Sequence, residues 1–210
     1  MTSSTILRSA LRGRGLAFAT TLALFLAASA GSARAQELTT PGNLVFGAER
    51  LFGIYFSHQS REVANVDVDN DAFVFGIGWA DRQSPLTIPR VGVDYFLDEH
   101  LTVGGNFGLY IAGGDADDTG VYVGGRVGYV LRLSHEVAFW PRGGVGFASA
   151  FETSAFVINL EGMFTLSPAE QWAFMAGPVL DLGLAGEQGD ADYSEILFGI
   201  MVGLTGWFNL

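Results

Sequence analysis

The sequence predicts an all-β protein, an eight-stranded antiparallel up-and-down barrel that crosses a membrane, and three observations carry that reading. Beyond the first 35 residues, apolar side chains recur at every second position, the period of a strand with one apolar face. The alternating stretches outrun the five or six residues usual in soluble sheets. The connections alternate between tight and long, as in a barrel that turns briefly on one side of a membrane and loops out on the other.

The chain opens with a leader. Arg8, Arg12 and Arg14 precede an apolar run from Leu16 to Ala28, and "ARAQ" then supplies a small-residue cleavage site after Ala35. The run is short of the roughly 20 residues a spanning helix needs. The predicted organisation is a cleaved secretory signal over 1–35, a periplasmic segment over 36–43 and a barrel over 44–210. There is no cysteine, which excludes disulfides and thiolate chemistry, and no lysine. The leader takes four arginines and no acid, so seven arginines face 22 acids in the remainder. Such an acidic surface excludes nucleic acid as a partner. Yet 49% of the residues are hydrophobic and the mean hydropathy is +0.32, so the apolar and acidic characters must occupy different surfaces.

The elements follow in order. The first strand is expected near 44–57. In "AFVFGIGWA" (72–80), Phe73, Phe75, Ile77 and Trp79 share a face. A ninth strand would put the two ends on opposite sides of the membrane, so this segment is read as an outward extension of the first hairpin, followed by a bulge or loop at 81–87. A ten-stranded barrel with a further strand near residue 60 is the alternative. Strands are then expected near 86–97, 101–112, 120–133, 137–150, 154–166, 171–184 and 195–209. In "LTVGGNFGLYIA", Leu101, Val103, Phe107, Leu109 and Ile111 oppose Thr102, Gly104, Asn106 and Gly108. The final stretch keeps Ile196, Phe198, Ile200, Val202, Leu204, Phe208 and Leu210 on one face. The turns at 98–100, 134–136 and 167–170 are tight, whereas 113–119 and 185–193 are longer and acidic. Pro141 and Pro178 fall at lipid-facing positions of unbroken alternation, where each costs a ladder hydrogen bond without shifting register.

This architecture, with the alternating C-terminal strand, resembles the small bacterial outer-membrane β-barrel proteins of the outer-membrane protein A transmembrane-domain and outer-membrane protein X type, within the porin-like superfamily. Members commonly end in an aromatic residue; here Leu210 is last and Phe208 stands two before it. The resemblance implies export by the Sec route to the cell outer membrane of a Gram-negative cell envelope. It further implies outer-membrane lipids, lipopolysaccharide and the barrel-assembly machinery as partners, and a monomer.

If one face of each strand meets lipid, the other meets the lumen, and eight strands leave room only for side chains. Glu49, Arg90, Asp94, Arg126, Arg132, Arg142, Glu161, Asp181 and Glu195 fall on that face, close to charge balance. A charge layer of Arg90, Asp94, Asn106, Arg126, Arg142, Glu161 and Asp181 is expected to plug the lumen. A turn at Phe151–Glu152 sets Arg142 opposite Glu161. A turn at His135 sets Arg126 diagonal to Arg142, and one at Ala116 sets Asn106 opposite Arg126. "PRVGVDYF" (89–96) echoes "PRGGVGFA" (141–148), which places Arg90 and Arg142 at similar depth. The expected role is structural or surface-interacting; the alternative is a narrow pore for small solutes or ions.

The loops offer few ligand signatures. Asp67, Asp69 and Asp71 alternate as in calcium loops, but Ala72 and Gly78 occupy the positions that need glycine and glutamate. The other acidic loops, with Asp115, Asp117 and Asp118 and with Glu187, Asp190 and Asp192, read as solvated, and no metal or cofactor is expected. "HQS" (His58, Gln59, Ser60) resembles the H-x-S pair of lipid A deacylases, which lies on a later strand in that family. The expectation is a protein that is not an enzyme.

Overall fold

A computed structural model describes residues 38–210 except 64–65, 78–83, 113–117, 151 and 189–190; the leader and its cleavage site lie outside these residues. Ten strands form one antiparallel sheet: β1 (Asn43–Val63), β2 (Val66–Ile77), β3 (Arg90–Phe96), β4 (Leu101–Ala112), β5 (Asp118–Tyr129), β6 (Leu131–Arg132), β7 (Val137–Ala150), β8 (Thr153–Ala169), β9 (Trp172–Gln188) and β10 (Ala191–Asn209). Pairing of β1 with β10 closes it into a barrel. The wall nevertheless has eight positions. β5 and β6 both pair with β7, and β2 and β3 both pair with β1 on the same edge, β3 beside Leu44–Glu49 and β2 beside Phe52–Val63. The segment at 72–80 is therefore part of an outward hairpin up to Ile77, with 78–80 undescribed, and no strand is added to the wall.

Alternation decides which side chain faces where. Outward positions such as Phe107, Val127, Phe164, Phe198 and Ile200 are about half exposed, while their neighbours Asn106, Arg126, Thr165 and Leu197 are buried. Pairing of wall strands round a closed ring is the way a sheet can stand in lipid. Tight turns join the strands at the end that holds Leu38 and Leu210. In one of them the Asp98 carboxylate accepts from the backbone N–H of His100 and of Leu101, each at 2.7 Å, which lowers its pKa from the ordinary value.

Pro141 and Pro178 sit on the same patch of the outer face. Pro141 stands opposite Gly162, and the ring of Pro178 lies beside that glycine. The β8–β9 ladder is interrupted between Glu161–Val179 and Phe164–Ala176, and the register is the same on both sides. The gap in the β8–β9 ladder thus falls at Pro178, beside Gly162, whereas the β7–β8 register runs unbroken past Pro141, and the break on that proline's other edge lies between the β5 and β6 pairings.

Candidate functional site: the charged lumen

The interior is filled in layers. Nearest the chain ends lie Val45, Phe96, Val130, Trp140, Met163, Met175 and Trp207, all buried. Trp140 donates its indole N–H to Thr102 Oγ1 at 3.2 Å and packs on Phe96, so its polar atom is satisfied. Leu38 and Thr39 are buried at this end as well.

Above this layer two arginines are wrapped by three acids. Arg126 donates to Asp94 through Nε and Nη2, at 2.9 and 2.5 Å, and to Glu49 at 2.8 Å. Arg142 reaches Glu49 at 2.8 Å and Glu161 at 2.5 Å. These groups come from β1, β3, β5, β7 and β8, so the network ties five wall positions across the lumen. Two small residues make the space. A side chain at Gly92 would collide with Arg126 and Glu49, and one at Gly104 with Asp94 and the β3 backbone.

A second pair of arginines lies higher. Arg50 and Arg90 share Asp181 Oδ2, at 2.6 and 3.1 Å, and both donate to the Leu86 carbonyl, at 2.8 and 3.1 Å. Asn159 donates to the other Asp181 oxygen, and the Arg90 guanidinium lies 3.5 Å over the Tyr122 ring. The Leu86 carbonyl comes from a single 3-10 turn, Pro85–Thr87. Ser84 to Ile88 are all buried, so this segment is folded into the lumen. Its tip is tied to the wall by Ser84 Oγ, which donates to Glu195 at 2.8 Å; Ser57 and Tyr193 donate to the same carboxylate at 2.6 and 2.5 Å.

The sequence-derived layer is thus divided and amended. Arg142 does stand opposite Glu161, and Arg126 is diagonal to Arg142 across the β5–β7 ladder. Arg90 and Asp181, by contrast, belong to the upper cluster, because the segment before β3 enters the lumen and draws Arg90 towards Leu86. Asn106 is buried but stands opposite Gly124, while Arg126 faces Gly104; the β4–β5 register is centred one residue earlier than expected. Arg132 is exposed at the rim rather than in the lumen, on the short β6, where it donates to Thr39. Its place among the interior cations is taken by Arg50, which the sequence reading missed. Adjacent residues normally face opposite ways, yet Glu49 and Arg50 are both buried. A bulge between Ala48 and Phe52 inserts two residues, and Arg50 has φ +57°, the left-handed region that turns its side chain inward. The one available signal was the charged pair "ER" inside an otherwise alternating strand.

Outside the lumen, His58 and Asp71 meet on the outward face, Nδ1 to Oδ1 at 2.8 Å. No hydrogen bond joins His58 to Ser60. Among the described residues no group of acids and histidines could hold a metal ion. Asp115 and Asp117 lie outside those residues.

No family model matches the chain, and no curated protein matches it. Among solved structures it is similar to Ail, the attachment invasion locus protein of Yersinia pestis, at 13% identity over 78% of this chain and 99% of that one, TM-score 0.37. Neisserial surface protein A shares 10% identity over 80% and 97%, TM-score 0.43. The N-terminal β-barrel domain of Pseudomonas aeruginosa OprF shares 10% over 79% and 98%, TM-score 0.41.

Proposed function

We propose that the chain is an integral barrel of the bacterial outer membrane, structural or surface-interacting, with a lumen closed by its own side chains. The observation that carries this reading is the inversion of the fold: apolar residues form a continuous outer belt while the charged residues of the same strands are buried and paired inside. In water that arrangement would leave many large apolar side chains unsatisfied; in lipid it is the stable one. The lumen network is then a brace and a plug, and the acidic far end is the surface presented outside the cell. Outer-membrane lipids, lipopolysaccharide and the assembly machinery are the partners this placement entails, and a monomer satisfies it.

Two measurements test the reading. Density fractionation of envelopes should recover the protein with the outer membrane, and recovery in the soluble fraction would refute its placement. Liposomes carrying the folded protein should swell in small sugars no faster than empty ones; faster swelling would instead support a narrow pore.

A further inference from the structure

The long wall strands each pair with a neighbour on both sides round the ring, but β2 pairs with β1 alone among the described residues. Among the described residues its other edge therefore presents backbone N–H and C=O groups with no ladder partner. From Val66 to Asp71 every residue of β2 is exposed, so this part of the hairpin stands clear of the barrel. Chains blunt such an edge with charged side chains, proline or a bulge; this strand has no proline and no bulge, its charges are three aspartates, and its register with β1 is regular from Val66 to Ile77.

The two faces of the edge strand differ. Asp67, Asp69 and Asp71 lie on the outward face, opposite Glu62, Ser60 and His58 of β1. The acidic row continues across the sheet, since Glu62 stands opposite Asp192 and Asp192 opposite Glu187. Val66 and Val68 lie on the other face and are 61% and 50% exposed. Arg61, the cation of this hairpin, sits on that second face opposite Val68. A strand added here would meet carboxylates at every second residue on one side and valine on the other.

We propose that the free edge of β2, over Val66–Asp71, docks an extended segment of another protein in which basic residues alternate with apolar ones. Backbone pairing to the open edge supplies the affinity, and the alternating side chains supply the choice of partner. The basic residues come to lie opposite Asp67, Asp69 and Asp71, and the apolar ones cover Val66 and Val68. A second copy of this chain is a poor occupant because it brings the same carboxylates to the edge, and like charges facing each other across strands are destabilising. Lipid is a poor occupant too, since it cannot pair backbone groups. The proposal rests on the pairing of β2 and not on whether the lumen conducts.

The test uses the folded full-length barrel in detergent micelles and a labelled, end-capped eight-residue peptide of alternating arginine and valine. Fluorescence anisotropy should show saturable binding. The same peptide N-methylated at every residue, so that neither backbone edge can donate, should not bind. Asp67→Asn/Asp69→Asn/Asp71→Asn should weaken the parent peptide by about tenfold, the sum of three modest cross-strand charge pairs. A serine–valine peptide should bind no better to wild type than the arginine peptide binds to the triple variant. Equal binding of the N-methylated and parent peptides would overturn the proposal, because attraction would then be charge alone. Absence of binding by the arginine–valine peptide would also overturn it, the acids then serving only to keep the edge unpaired. The N-methyl comparison needs no variant, so it stands even if the triple variant fails to fold.

Discussion

The two halves of the lumen are filled by different means. In the half nearer the chain ends, Glu49, Asp94, Arg126, Arg142 and Glu161 project from the wall and pair with one another. In the far half, the wall contributes Arg50, Arg90, Asp181 and Glu195, but their partners include a carbonyl and a hydroxyl of the in-folded segment Ser84–Ile88. The first half is braced across strands, the second by a piece of chain that left the wall. The difference separates what regular alternation can build from what an insertion adds.

The largest expected effect lies in the braced half. Replacing Arg126 with methionine leaves Asp94 without its close partner and Glu49 with Arg142 alone. Removing one member of a buried ion network costs about 3–5 kcal/mol, so the urea midpoint in detergent should fall steeply. The same change at Arg132, exposed at the rim, should stay within about 0.5 kcal/mol, as surface substitutions do. Similar losses at both positions would remove the distinction between lumen and rim.

A smaller effect is expected in the inserted half. Ser84→Ala deletes one donor to the buried Glu195 carboxylate, which keeps Ser57, Gln59 and Tyr193. A loss of about 1–3 kcal/mol follows for a buried group that loses one partner. Hydrogen exchange should quicken in 84–90 and remain unchanged at Val123–Val127. Uniform quickening would mean that the two halves unfold as one.

The difference between the halves also marks how much was legible in the sequence. Strand positions and inward faces followed from a period of two, because a closed barrel imposes that period on every strand. The Arg142–Glu161 register followed too, since a tight turn fixes it. Arg50 did not follow, because a bulge with a left-handed residue breaks parity locally and then restores it. The lumen entry of Ser84–Ile88 was also hidden: "SPLTIP" reads as a loop, and a loop's polar backbone is normally left in water. Here Arg50, Arg90 and Glu195 stand in for the water, a set recognisable only once the strands are assembled. Pro178 became intelligible for the same reason, since it and Gly162 are neighbours only in the sheet.

The smallest expected effect tests the turns outside both halves. Asp98 titrates below its ordinary value of 3.8 because two backbone N–H groups hold the carboxylate. A depressed folded pKa contributes stability that is complete above the unfolded value and is lost as pH falls through the folded one. Asp98→Asn should therefore flatten the acid side of the stability curve below about pH 4 and leave the neutral side little changed. A carbon-13 titration placing the Asp98 midpoint at or above 3.8 would contradict the turn geometry.

Planar-bilayer recording reports whether the filled lumen passes ions. Wild-type protein should insert without steady current, and Arg126→Ala/Arg142→Ala should open detectable events by removing both cations that bridge the lower layer. A steady wild-type current, altered in size or ion preference by those same substitutions, would contradict the account and make the charged layer the lining of a pore.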